Sequence, residues 1–444
     1  MDCIDFFTLK GRLMKITNRI TPFLCIALLG ILPSLASGQT LEWIRQVGTD
    51  TNDCGTDLAA DELGNIYITG WTGGVLGDAS IGGDDFFVSK YNPSGTCQWT
   101  KQHGISDNDK ALAITLDGLG HIYVAGAITE TPPGGIETFS NTFLNKLDEN
   151  GEPIWAVQGT DNGLGICSAM TTDETGNLYV SGMMFYILAD AFAAKLDSSG
   201  TSLWTASSPR LGMDYANDIA LDNLNNVCIA AQTQPASDGD TDILLIKYDN
   251  DGDTLWSKRT GTGEDDTSLG IATDASRNIY VTGKTAGNLS NNNAGGADAF
   301  VRKYNENGQL LWARQWGTTG EDEGTDIAID ASGNIYLLGT TEGEMAGPNA
   351  GGLDVFVRKY DSTGDLAWTK QFGTVGDDTG RRLMVDNLGN IYFTGYTSGN
   401  FAGPGTHMGE NDIFLAKITE VPESSTIVLV LMGLVALVMV RRKK

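Results

Sequence analysis

The sequence predicts an all-β fold, a seven-bladed β-propeller with four antiparallel strands per blade. Three observations predict it. First, the stretch DASGNIYLLG, Asp330 to Gly339, recurs with variations from Asp61, Asp117, Asp173, Asp222, Asp274 and Asp386. Second, tryptophans recur in the same register at Trp43, Trp99, Trp155, Trp204, Trp256, Trp312 and Trp368, and both series step by 56, 56, 49, 52, 56 and 56 residues. Two markers that keep one spacing define a repeated supersecondary unit, and four short strands per repeat of about fifty residues is the propeller pattern. Third, the repeats open on a lone tryptophan strand, LEWIRQVG from Leu41, and close after a third strand, DIFLAK from Asp412. The first strand therefore completes the last blade and closes the ring.

Within one unit the elements follow in order. DIAID, ending at Asp330, reads as the innermost strand; NIYLLG at Asn334 to Gly339, DVFVRKY at Asp354 to Tyr360 and LAWTKQFG at Leu366 to Gly373 follow as the second, third and fourth. The hairpin Asp accepts hydrogen bonds from backbone N–H groups just beyond it, and the Gly that usually follows supplies a positive φ. Asn225 and Arg277 replace that Gly in two units; Asn tolerates the conformation and Arg277 is expected to be strained. A second turn, as in YDSTGD from Tyr360, joins the third and fourth strands. DNDGD at Asp249 to Asp253 is such a turn: it opens like a calcium loop but has no Gly at the sixth place and no acid at the twelfth.

Both ends differ from the repeats. Residues 1–38 read as an export signal, with Lys15 and Arg19 before the apolar run FLCIALLGIL, cleavage before Gln39, and initiation at Met14. Residues 421–444 hold VPESS, an uncharged apolar run from Thr426 to Val440 that is expected to form a short transmembrane helix, and a basic end, Arg441 to Lys444. Setting these ends aside removes eight basic residues and three acidic ones, leaving 21 basic against 53 acidic side chains, a formal net charge of −32. A surface this acidic repels nucleic acid and anionic lipid and attracts cations, so no polyanion partner is expected. The four remaining cysteines, Cys54, Cys97, Cys167 and Cys228, contain no CxxC pair and are expected to be mostly buried free thiols.

The hairpin GNIYITG at Gly64 to Gly70, the strand DAFVRK at Asp298 to Lys303 and the G-x-x-x-W from Gly308 to Trp312 resemble the SBBP family, the seven-bladed propeller repeat of bacterial surface proteins, over about Trp43 to Ile418. The C-terminal residues Val421, Pro422 and Glu423, followed by an apolar run and basic end, resemble the PEP-CTERM sorting tail, although Ser424 stands where that family usually has a second Pro. That resemblance implies a sorting protease at the membrane and passage of the protein outward, to the cell surface or beyond.

A residue needed by every blade belongs first to the fold. That consideration makes Lys90, Lys146, Lys195, Lys247, Lys303, Lys359 and Lys417, which end the seven third strands, structural partners of nearby Asp or carbonyl groups. Function is expected where the repeat is broken. Three candidates result. Met183, Phe185 and Tyr186, in the MMFYIL segment of blade three, offer an apolar patch to a partner. Trp71 and Tyr396 fill equivalent positions in blades one and seven, which ring closure makes neighbours, and offer stacking surfaces for a sugar. Asp53, Asp109, Asp214, Asp266, Asp322 and Asp378 each lie eight residues before a hairpin Asp, with Gly165 in their place in blade three. They either cap turns or hold Ca²⁺, which takes six to eight oxygen ligands. The sequence contains no G-x-S-x-G, H-E-x-x-H or phosphate loop, and only three His. The leading expectation is a monomeric, non-enzymatic exported scaffold that binds a surface polysaccharide or protein; the alternative is a metal-dependent lyase or hydrolase working in the central channel.

Overall fold

The computed structural model describes residues 39–104, 108–130, 138–158, 165–185, 189–208, 212–235 and 239–420. The export signal, the sorting motif Val421–Glu423 with its apolar run, and Tyr186 lie outside the described residues. Among the described residues, 28 strands, numbered β1 to β28 in chain order, form seven four-stranded sheets within one compact unit, Thr40–Thr419. Blade one is β2 (Asp53–Ala60), β3 (Ile66–Thr72), β4 (Asp85–Tyr91) and β5 (Cys97–His103), from the axis outward. Blades two to six repeat this order with β6 to β25. Their innermost strands are β6 (Asn108–Leu116), β10 (Ile166–Thr172), β14 (Met213–Leu221), β18 (Asp266–Thr273) and β22 (Asp322–Ile329). Blade seven is β26 (Asp378–Val385), β27 (Ile391–Thr397), β28 (Asp412–Glu420) and, outermost, β1 (Gln39–Val47). The ring is closed as the sequence predicts, by the first strand completing the last sheet. Innermost strands touch their neighbours around the whole ring.

The repeated residues are the scaffold. Asp61 Oδ1 accepts from the backbone N–H groups of Leu63 and Asn65, and its Oδ2 accepts from Asn65 Nδ2 at 2.7 Å and the Tyr67 hydroxyl at 3.4 Å. The third-strand lysine then lies over that tyrosine, with Lys90 Nζ 4.9 Å from the Tyr67 ring and Lys303 Nζ 4.8 Å from the Tyr280 ring. In blade four Cys228 replaces the tyrosine, and Lys247 drops onto Asp222 at 2.8 Å. These lysines are thus consumed by the hairpins. Asn225 and Arg277 do adopt positive φ, 59° and 62°, and Arg277 is held by Glu306 at 2.5 Å.

Adjacent blades are joined through the tryptophans. The Trp43 ring packs on Gly95 of the next blade's outer turn, and the same pairing joins Trp99 to Gly151, Trp204 to Gly252 and Trp312 to Gly364. A side chain at that glycine would displace the indole. Trp204 Nε1 also donates to the Asn250 carbonyl at 3.0 Å and Trp256 Nε1 to that of Glu306 at 3.1 Å, so these two indoles pack a flat apolar face and satisfy their N–H. The core lies between sheets, in clusters such as Tyr67, Val88, Ile114, Val124 and Phe143 between blades one and two. Cys54, Cys167 and Cys228 are buried free thiols, and Cys97 is an exposed one.

Candidate ligand-binding site

Every innermost strand carries a β-bulge at the same place. Its register against the second strand slips between Gly55 and Asp57, and equally between Ala111 and Ala113, Cys167 and Ala169, Ala216 and Asp218, Ser268 and Gly270, Gly324 and Asp326, and Gly380 and Arg382. A bulge re-aims one extra side chain. The skipped residues are Thr56, Leu112, Ser168, Asn217, Leu269, Thr325 and Arg381, and all seven line one cavity of about 560 Å³. The bulges therefore build a ring of seven side chains at the axis, one from each blade. Trp71, Tyr396, Asn52, Asn411, Cys54, Glu323 and Arg382 complete the lining.

Ring closure makes blades one and seven neighbours, as the sequence predicts, and their Trp71 and Tyr396 both line this cavity. Trp71 pairs with Cys54 across β2 and β3, and Tyr396 pairs with Thr379 across β26 and β27. Gly55 allows the two blades to meet: a Cβ there would press on the Thr394 side chain and the Gly395 carbonyl. Each ring carries a cation. Lys110 Nζ lies 4.6 Å from the centre of Trp71, and Arg381 Cζ lies 5.4 Å from the centre of Tyr396. At this register position the other five blades have Ala127, Met183, Gln232, Lys284 and Thr340, so a constant backbone carries seven different side chains.

The floor of the cavity is charged. Arg382 of β26 reaches the carboxylates of three other blades, with Nε 3.5 Å from Asp57 and Nη1 3.0 Å from Asp218 and 3.3 Å from Asp326. Each carboxylate also accepts a backbone N–H from the next blade: Ile114 at 2.8 Å, Ile271 at 2.9 Å and Leu383 at 2.7 Å. One guanidinium faces three buried acids. Desolvation, opposed by Arg382, pushes Asp57 up to about 6 and Asp326 up to about 7, and it raises Asp218 as well. The same carboxylates hold the Arg382 guanidinium in its charged form, against the cost of burial. The sequence reading passed over this cluster. Its signal was the position four residues before each hairpin Asp, which reads Asp, Ala, Ala, Asp, Gly, Asp and Arg around the ring.

The strand-entry aspartates are placed differently. Asp53, Asp109, Asp214, Asp266, Asp322 and Asp378 are all buried, one in each of six blade junctions. They are engaged by their own turns: Asp322 Oδ2 accepts from Thr318 N at 2.5 Å and Thr318 Oγ1 at 2.9 Å, Asp266 does the same with Thr262, and Asp214 accepts from Ser208 Oγ at 2.6 Å. Thr72 and Thr397 hydroxyls bond Asp53 and Asp378. In blades one, four, five, six and seven a second buried aspartate starts the third strand beside them, and Gln102, Gln315 and Gln371 donate to Asp85, Asp298 and Asp354 at 2.8, 3.0 and 2.8 Å. The Gly of the Gly-Thr turn lies hard against this second carboxylate, at Gly261, Gly317 and Gly373. The six strand-entry residues are not gathered into one centre, and among the described residues no group of three or more His, Cys, Asp or Glu side chains is arranged to hold a metal.

The apolar candidate divides. Met183 is buried against Ala127, Ile166 and Ala189 and offers little surface to a partner. Phe185 pairs with Ala189 in the sheet, and Tyr186 lies outside the described residues.

Four segments, residues 42–77, 255–290, 311–344 and 367–402, match the SBBP beta-propeller repeat, together about a third of the chain. A regulatory protein of Caulobacter vibrioides, FlaEY, is 25% identical over 165 residues, covering 33% of this chain and 17% of that protein. An uncharacterized WD repeat-containing protein of Acanthamoeba polyphaga mimivirus is 24% identical over 204 residues, covering 36% of this chain and 15% of that protein. The chain thus spans less than a fifth of the length of either relative. Among solved structures, the Pan2 WD40 domain of Neurospora crassa superposes with a TM-score of 0.52 at 10% identity, covering 87% of this chain and 97% of that one. A polysaccharide lyase, an ulvan lyase, also gives 0.52 at 11% identity, covering 83% and 95%. At these identities the likeness is one of fold.

Proposed function

We propose that this seven-bladed propeller, with its SBBP-type repeats, is an exported, non-catalytic binding protein that takes a surface polysaccharide at the mouth of its channel. The observation that carries the reading is the cavity itself: an open site of about 560 Å³ lined by one bulge residue per blade, with Trp71 and Tyr396 beside it. Pyranose rings present flat C–H faces that pack on indole and phenol rings, while their hydroxyls need the polar edges that Asn52, Asn217 and Asn411 supply. Variation at the bulge and ring positions, on a backbone that repeats, is what a site grafted on a scaffold looks like.

Export and outward sorting rest on the sequence of the two ends, and a monomer is the assembly this reading requires. A catalytic reading finds less support at the cavity. Its one thiol, Cys54, is fully buried and pushed up to about 11, leaving little thiolate at neutral pH.

The test is a glycan array followed by calorimetry on the hits, with the wild-type protein and with Trp71→Ala and Tyr396→Ala. Loss of one stacking ring is expected to weaken binding about tenfold or more, as truncating an aromatic anchor at a binding site costs roughly 1–2 kcal/mol or more. Binding unchanged in both variants would remove the channel mouth as the site.

A further inference from the structure

The cations at the channel mouth are held in an unusual way for so acidic a protein. Arg381 is exposed at the cavity, and its neighbours are the Tyr396 ring and hydroxyl, the latter 3.5 Å from Nη2. Among the described residues no carboxylate lies within ion-pair distance of it. Lys110 lies over Trp71 and meets Asp84 at 3.2 Å, and across the cavity Lys284 meets Glu323 at 3.2 Å. Glu323, which lines the cavity, is therefore matched by Lys284, Asp84 is matched by Lys110, and Arg382 is matched by the three carboxylates of the floor. Arg381 is the surplus. A guanidinium positioned by an aromatic face keeps its charge and most of its donors, because a ring quadrupole attracts a cation without neutralising it.

Two further observations point into the same space. Arg381 lines the cavity together with Trp71 and Tyr396, and Lys110 lies against the Trp71 ring. Thr325, another of the bulge residues lining the cavity, has a buried Oγ1 with no hydrogen-bond partner among the described residues. A planar fork of donors, a second cation and a spare hydroxyl suit a bidentate oxyanion better than a neutral sugar.

We infer that the ligand of the channel mouth is an acidic polysaccharide, whose uronate carboxylate is taken by Arg381 with Lys110 while its pyranose ring packs on Trp71 or Tyr396. The inference rests on the glycan-binding reading above and narrows it to one chemical class. It also explains why a protein of net charge −27 keeps an uncompensated arginine at its axis: anionic chains repelled by the rim are captured only where that charge is exposed.

The test uses the full-length protein and a panel of galacturonate, glucuronate, mannuronate and guluronate oligosaccharides, each paired with the same oligosaccharide after carboxyl reduction, which removes the charge and keeps the ring. Calorimetry is expected to show an acidic member bound about tenfold or more tightly than its reduced form, as a charge-assisted bidentate pair warrants. Arg381→Gln should erase that preference by weakening the acid alone, Arg381→Lys should retain part of it, and Trp71→Ala should weaken both forms. If acid and reduced forms bind equally and both are lost in Trp71→Ala, the acidic class is overturned while glycan binding stands. If no member of the panel binds, or binding is indifferent to both Arg381→Gln and Trp71→Ala, both readings fall.

Discussion

Asp326 and Asp57 show how one residue type takes opposite roles in this protein. Hairpin aspartates such as Asp173 and Asp274 are held below the ordinary carboxylate value by hydrogen bonds from Asn, backbone N–H and Tyr, which outweigh their desolvation. At the channel floor desolvation wins, and Asp57 and Asp326 rise to about 6 and about 7. With an unfolded value near 4, the folded ring binds protons there that the unfolded chain has released. The stability these two groups contribute is therefore full below about pH 4 and is lost as the pH rises through 6 and 7. Asp53, Asp322 and Asp378, also raised by burial, act in the same direction. The hairpin aspartates lose their contribution only in acid below that range, and His103, kept neutral by burial, opposes the trend below about pH 6.5. The expected outcome is a melting temperature that falls between pH 5 and pH 8 more in the wild type than in Asp326→Asn, in which His103 is unchanged. Arg382→Met, which strands three buried carboxylates, should cost about 3–5 kcal/mol at neutral pH, with part recovered at pH 5; equal losses at both pH values would show that the cluster does not titrate.

At the scale of the element, β1 and the bulge matter most. β1 supplies the outer strand of blade seven from the opposite end of the repeat array, and Trp43 on it packs against Gly95 of blade one. Deleting Leu41 to Gly48 would leave β28 as an unpaired edge and uncover the last junction of the ring. Loss of cooperative melting, or association through the exposed edge, is expected in calorimetry and sedimentation; a monomer with an unchanged melting temperature would show that closure does not depend on β1. The bulge is the element that turns scaffold into site, because it removes one residue per blade from the ladder and aims it at the axis. Four strands per unit were plain in the sequence from alternation and turn residues. The bulge was not, since an inserted residue leaves apolar alternation readable on both sides of it, and only pairing against β3 or its equivalents shows which residue is left over.

For the whole molecule, the strongly acidic surface and the two terminal segments define the remaining prediction. Removing Thr426 to Lys444 should release the protein in soluble form, whereas Pro422→Ala with Glu423→Ala should leave it in the inner membrane; normal sorting of the double variant, read by cell fractionation, would make the Pro-Glu pair incidental. The sequence by itself determined the blade count, the strand order and the closure by β1, because each depends on a pattern repeated at fixed spacing and on which strand is missing from which end. It also brought Trp71 and Tyr396 to adjoining blades, since equivalent positions in the first and last repeats meet when a ring closes. The burial of Met183 and the meeting of Asp57, Asp218, Asp326 and Arg382 were decided by tertiary structure alone. These depend on which blades face each other across the axis, and side chains 56 to 325 positions apart in the chain become neighbours there; no local spacing records such a contact.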